Sequence, residues 1–183
     1  MHEEPVPVPG QGEVRIRVRR VGMCASDLHY YRDGRIGTTT ITQPTVLGHE
    51  ASGEITALGP GVESLSVGDK VAIEPAKPCM QCEWCQSGDY NVCPGIPFFG
   101  TPPTDGCLRD YITWPASLAM KVPDTMSFDE AAMVEPYAIG VYVAQLAQPQ
   151  PDEFVAILGA GGIGLSVLMA LKIAGSRRVV VSE

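Results

Sequence analysis

Four cysteines, Cys79, Cys82, Cys85 and Cys93, fall within one 15-residue stretch, with two, two and seven residues between them. Zn2+ takes soft ligands at tetrahedral corners, and two cysteines separated by two residues supply two corners from one turn. One loop here supplies all four corners. No position is left open for a substrate, so the implied role is structural. A lobe this small has little core, and the metal would hold it together. Disulfides and an iron–sulfur cluster compete for the same cysteines. Disulfides belong to oxidising compartments, and no cleavable signal sequence precedes this cluster. A reduced, cytoplasmic compartment is therefore expected. An iron–sulfur cluster also uses cysteine runs, and spacing alone does not separate it from zinc.

A second chemical signal is Gly159-Ala160-Gly161-Gly162-Ile163-Gly164, a GxGxxG run. It follows an apolar segment and precedes a helical one, with Glu183 nineteen residues after Gly164. In that context the first glycine makes a tight turn and the second lets the backbone approach a pyrophosphate. The third, Gly164, lets helix and strand pack closely. The pyrophosphate would sit on the helix N-terminus. Glu183 would accept hydrogen bonds from the adenosine ribose and repel a 2′-phosphate, so NAD is expected over NADP. A third set, Cys24, His49, Glu50 and Glu135, has donor types that suit Zn2+. These residues spread over 111 positions, and spacing does not link them. Alone, each reads as a small buried hydrophobe or a surface group.

The elements that must position these groups divide unevenly along the chain. Residues 1–125 hold 14 Gly and 13 Pro, and residues 126–183 hold 6 and 3. The first part should be short strands and turns, the second helices and buried strands. Val14, Ile16 and Val18 alternate with Arg15, Arg17 and Arg19, the period of a half-buried strand. Further strands are expected at 54–58, 70–73 and 108–113, giving an antiparallel barrel or sandwich. Ser127 and Glu130 form a capping box for a helix through Met133. Pro136 is expected to start the next helix, which runs over 137–146. Then come a strand at 154–158, a helix at 162–174 and a strand at 179–181. That is one βαβ unit with parallel strands, and both strands need neighbours beyond it.

The 183 residues carry a net charge of −8 and 45% hydrophobic residues. No basic block is present, which argues against nucleic acid and anionic membrane as partners. Phe154 to Leu171 is uncharged over 18 residues, near the length of a membrane span. Four glycines within Gly159–Gly164 break any continuous helix there, so strand, turn and helix start describe it better.

Gly48-His49-Glu50-Ala51-Ser52-Gly53, with Gly59 following, resembles the zinc signature of medium-chain alcohol dehydrogenases. The four-Cys lobe has that family's spacing. Cys24-Ala25-Ser26-Asp27-Leu28-His29-Tyr30, Phe98-Phe99-Gly100-Thr101-Pro102-Pro103 and Val134-Glu135-Pro136 are similar to the sorbitol (L-iditol) and xylitol dehydrogenase branch. The resemblance covers nearly the whole chain. It implies a mixed α/β protein with a GroES-like antiparallel β-barrel catalytic domain over 1–136. Residues 137–183 would be a linker helix and the first βαβ unit of an incomplete NAD-binding Rossmann domain. Some members of the branch lack the structural-zinc cysteines, and this chain keeps them.

Residue by residue, the resemblance makes Cys24, His49 and Glu50 catalytic-zinc ligands, with Glu135 or water completing the shell. Ser26 would relay the alcohol proton. Tyr30, Phe99, Thr101 and Glu135 would contact substrate. Gly159, Gly161, Ile163, Gly164 and Glu183 would hold the cofactor, and Cys107 is read as a buried thiol. The implied reaction is oxidation of a small polyol to a ketose with hydride transfer to NAD, in an enzyme that could be a homo-oligomer. Two rivals stand beside it: a zinc dehydrogenase acting on threonine or a simple alcohol, and a non-catalytic zinc-binding fragment. Against the family pattern the chain is short of a strand or two at its start and of everything after the second Rossmann strand. By itself it is not expected to turn over.

Overall fold

Val14 and Ile16 are fully buried while Arg17 is exposed, so the sequence alternation builds the first strand, β1 (Glu13–Gly22). The structure is a computed structural model that describes residues 3–150 and 152–183. Two compact units divide the chain, Met1–Ala132 and Met133–Glu183, ahead of the boundary expected between residues 136 and 137.

In the first unit β1 is followed by helix α1 (Ala25–Asp33) and a small hairpin, β2 (Arg35–Ile36) with β3 (Thr39–Thr40). Then come β4 (Glu50–Leu58), β5 (Lys70–Ile73), helix α2 (Glu83–Ser87), β6 (Tyr111–Pro115), β7 (Ala119–Lys121) and helix α3 (Phe128–Ala132). The main sheet has the order β6-β1-β4-β5-β7 and every pairing in it is antiparallel. Its core gathers Val14, Ile16, Ile55, Val71, Ile73 and Trp114. Helix α3 is pinned at both ends of its first turn. Ser127 and Glu130 exchange the expected capping-box bonds, and the Ser52 hydroxyl donates to the Phe128 carbonyl at 2.6 Å.

Four expectations shift, the first being that the strand expected at 54–58 already begins at Glu50. The strand expected at 108–113 begins at Tyr111 instead. Gly106, Cys107 and Leu108 spend their amides on the carbonyls of Val46, Gly48 and Leu47, so this stretch runs beside the approach to His49 before it joins the sheet. The helix expected through Met133 ends at Ala132. The next helix, α4 (Val134–Ala147), starts two residues before Pro136. A proline in the third helical position costs no hydrogen bond, because first-turn N–H groups have no intrahelical acceptor. Helix α1 was not foreseen. Its stretch is mostly polar, and only Asp27 and Tyr30 are buried.

The second unit runs α4, β8 (Phe154–Leu158), α5 (Gly162–Ile173) and β9 (Arg178–Ser182). β8 and β9 pair in parallel, Phe154 opposite Arg178 through Leu158 opposite Ser182. This is the expected βαβ unit. Phe154 is 67% exposed and Leu158 87%, so the strand pair still presents the apolar surface that parallel sheets cover with neighbouring elements. Among the described residues no helix is long and apolar enough to cross a membrane.

Candidate metal centres and dinucleotide loop

Cys24 sits immediately before α1, and His49 sits immediately before β4, whose first residue is Glu50. Donor atoms of Cys24, His49 and Glu50 all lie within 4.8 Å of one another. The sheet register accounts for part of this. Glu50 pairs with Gly22 across β1 and β4, and a Cβ at Gly22 would lie 2.1 Å from the Glu50 Oε2. Glycine there leaves the room that the carboxylate occupies. His49 and Glu50 are 7% and 8% exposed. Burial pushes the Glu50 carboxyl above its ordinary range, with His49 pulling the other way.

Asp27, which sequence reasoning did not single out, is 2% exposed and joins two of these donors. Its Oδ1 accepts the Gly48 N–H at 2.9 Å and lies 3.7 Å from His49 Nδ1. Its Oδ2 accepts the Cys24 N–H at 3.1 Å. The legible signal was its place three residues after Cys24, where a carboxylate can return to the helix N-terminus. A thiol, an imidazole and a carboxylate converge, with a second carboxylate behind the imidazole. That donor set fits Zn2+ with a position to spare, and a carboxylate behind a ligating histidine is a usual orienting partner.

The remaining expected residues fall in different places. Ser26 is half-buried in the first turn of α1, and Tyr30 is buried on the same helix. Thr101 is half-buried. Phe99 departs from its expected place at the substrate: it is 3% exposed, belongs to the core cluster and stacks on Trp114 at 3.9 Å. The aromatic ring beside His49 is that of Phe98, 5.4 Å away. Phe98 bridges to Ala76 and Phe99 begins the turn that follows, so the two neighbouring rings meet different surroundings. Glu135 is half-buried in the first turn of α4, in the second unit. Cys107 is fully buried, as expected, and burial pushes its thiol up to about 12.

The four sulfurs of Cys79, Cys82, Cys85 and Cys93 also lie within 4.8 Å of one another. All six cysteines are free thiols in this structure. The Cys79 and Cys85 sulfurs are 3.9 Å apart, far beyond a bonded pair. Helix α2 starts right after Cys82 and carries Cys85, and a short 3-10 turn over Tyr90–Val92 delivers Cys93. Backbone N–H groups at Gln81 and Cys82 hold the Cys79 thiol down to about 6, whereas burial pushes Cys85 up to about 12. Tetrahedral zinc fits this donor set.

In the second unit Gly159 takes φ +111° at the end of β8. A Cβ on Gly164 would lie 2.0 Å from the Gly159 carbonyl oxygen, so the third glycine is a packing requirement. Gly161 is the N-cap of α5, and Ile163 is 45% exposed. The Glu183 Oε2 accepts the Ala160 N–H at 2.8 Å, which holds the acid against the loop.

Residues 10–124 match the alcohol dehydrogenase GroES-like domain. The chain belongs to the alcohol dehydrogenase family. Similar curated proteins within it include sorbitol dehydrogenases and D-xylulose reductases. Sorbitol dehydrogenase of Bacillus subtilis is 43% identical over 179 residues, 98% of this chain and 51% of that protein. D-xylulose reductase of Morganella morganii is 47% identical over 164 residues, 90% of this chain and 48% of that protein. A crystal structure of a short chain alcohol dehydrogenase of Escherichia coli, complexed with NADH, superposes with a TM-score of 0.90 at 37% identity, covering 98% of this chain and 52% of that one. This alcohol dehydrogenase chain thus spans about half the length of the relatives it matches, and it stands with the sorbitol and xylitol branch that the sequence motifs resemble.

Proposed function

We propose that this chain carries the metal-binding half of a zinc-dependent polyol dehydrogenase that passes hydride to NAD, in a reducing, cytoplasmic compartment. The observation that supports the reading most is the convergence of Cys24, His49 and Glu50 inside the family's GroES-like domain. Zinc held there would act as a Lewis acid on a substrate hydroxyl. Asp27 orients His49 and fixes the Cys24 backbone. Ser26 Oγ, half-buried two residues after Cys24, takes the hydroxyl proton and passes it toward solvent. Phe98, beside His49, limits water at the reacting carbon. The glycine loop and Glu183 bind the pyrophosphate and ribose of NAD.

The test uses a chain of the relatives' full length. NADH formation is expected with sorbitol and xylitol, at two zinc ions per chain, with threonine and ethanol far behind. Preference for threonine or a simple alcohol would move the substrate assignment, and a single zinc per chain that stays bound after His49→Ala would remove the catalytic site. Cofactor choice has its own check. Glu183→Ala is expected to weaken NAD binding and narrow the gap to NADP, read by fluorescence titration of both reduced cofactors. A native preference for NADP would mean that Glu183 does not select at the ribose.

A further inference from the structure

His49 is expected to ligate zinc, yet residues 44–49 belong to no strand of the main sheet; β4 begins only at Glu50. Something else must fix the backbone that delivers the imidazole. The segment beside it does so. Gly106, Cys107 and Leu108 donate N–H bonds to the carbonyls of Val46, Gly48 and Leu47 at 2.7, 2.9 and 3.0 Å. Asp105 extends the strip: its Oδ1 accepts the Val46 N–H at 2.9 Å and its Oδ2 accepts from Arg109 at 2.8 Å. On the far side, the Gly48 N–H donates to Asp27, which also holds Cys24. A chain of bonds thus runs from Asp105 and Gly106 through Val46–Gly48 to the donors at Cys24 and His49.

The fit along this chain is tight. A Cβ on Gly106 would stand 2.3 Å from the Gly48 carbonyl oxygen and 2.4 Å from that of Leu47. Both obstacles are backbone, so no side-chain rotation relieves the clash, and either the Leu47–Gly48 peptide or the loop that carries Gly106 must shift, which strains the bonds between them. A shift of that peptide would disturb the Gly48 N–H bond to Asp27 and the placement of His49 beside it. Asp105 acts more gently, because it is at the surface and contributes one bond to the Val46 amide.

We infer that Asp105 and Gly106 are positioning residues for the Cys24–His49–Glu50 metal site: the loop they occupy sets the approach to His49 in place of sheet pairing. The inference rests on the metal reading above. The experiment takes the 183-residue chain with zinc in the four-Cys lobe and titrates Co2+ into the other site, following its ligand-field absorption against a competing chelator. Losing a group that supports a metal ligand costs about 10- to 100-fold in affinity. Gly106→Ala is expected at or above the lower end of that range, and Asp105→Ala to weaken binding in the same direction but less. Asp105→Asn should stay near wild type, because its amide oxygen still accepts from Val46. Zinc in the four-Cys lobe and the melting temperature of Asp105→Ala should stay at wild-type values. If Gly106→Ala does not fold, the Asp105 pair decides.

Wild-type Co2+ affinity in Asp105→Ala, or equal loss in Asp105→Ala and Asp105→Asn, overturns the inference while the metal site stands. Parallel loss of lobe zinc and site Co2+ also overturns it, since a general loosening would then explain the effect. A wild-type chain that binds no Co2+ outside the four-Cys lobe removes the metal reading itself, and this inference with it.

Discussion

Replacing His49 by alanine is expected to lower the metal content of the chain from two equivalents to one and to abolish polyol oxidation in a chain of the relatives' length. Among the described residues the imidazole is one of three converging donors, and it is the one that Asp27 backs at 3.7 Å. A thiol and a carboxylate alone leave Zn2+ short of the three protein ligands found in catalytic sites. The loss in turnover should therefore exceed the roughly 10- to 100-fold that follows when only a supporting group is removed. Elemental analysis and a sorbitol assay on the same preparation check it. The four sulfurs at 79–93 are on other elements, so the remaining equivalent should stay with them. Retained turnover at one zinc per chain would refute the assignment of this site.

Removing the metal from the four-Cys lobe is expected to have the largest effect on folding. Residues 79–95 contribute only Cys85 and Cys93 to the buried apolar set, with no aliphatic or aromatic core of their own. Trp84, Tyr90 and Val92 are 43–52% exposed. Structural zinc contributes apparent binding energies of roughly 10–16 kcal/mol in small zinc-folded peptides, and a lobe with so few buried side chains has nothing of that size to replace it. Cys85→Ser should lose one zinc equivalent and expose 79–93 to proteolysis while the sheet survives. The thiols also predict a pH dependence. Cys85, pushed up to about 12, must give up a proton to bind metal, whereas Cys79, held near 6, is already a thiolate at neutral pH. Zinc uptake should release protons and strengthen as pH rises, with isothermal titration in buffers of different ionisation enthalpy as the measure. A proton-neutral, pH-independent uptake, or unchanged zinc in Cys85→Ser, would count against the lobe as a metal site.

Much of this molecule was legible because its signals are local. The spacing of four cysteines, the glycine run after an apolar strand and the Val14–Arg17 alternation each lie within a few residues. Each is found where the local pattern puts it. The Cys24–His49–Glu50 site was legible only through family resemblance. Its members come from a helix start and a strand start held together by register and by Asp27, and no spacing encodes a hydrogen bond between positions 27 and 48. Phe98 and Phe99 show the same limit at finer grain. Two identical neighbours differ only in their surroundings, and the packing of Trp114 decides which one is core. The strand expected from Leu108 failed for a related reason, because its amides pair with a segment 60 residues earlier in the chain.

The contrast between the two donor sets has a kinetic side. Cys24 and Gly48 are tied through Asp27 by protein hydrogen bonds, and Glu50 is fixed by its register opposite Gly22. An ion that departs from such a frame leaves it standing, so its residence time is set by coordination chemistry alone. In the four-Cys lobe the ion would be the main crosslink, and its departure is gated by local unfolding. One chain would then hold two ions of the same element on separate clocks. The exchangeable one would be open to competition from Co2+ or Cd2+ during the life of the protein, while the other would record whichever metal was present when the chain folded.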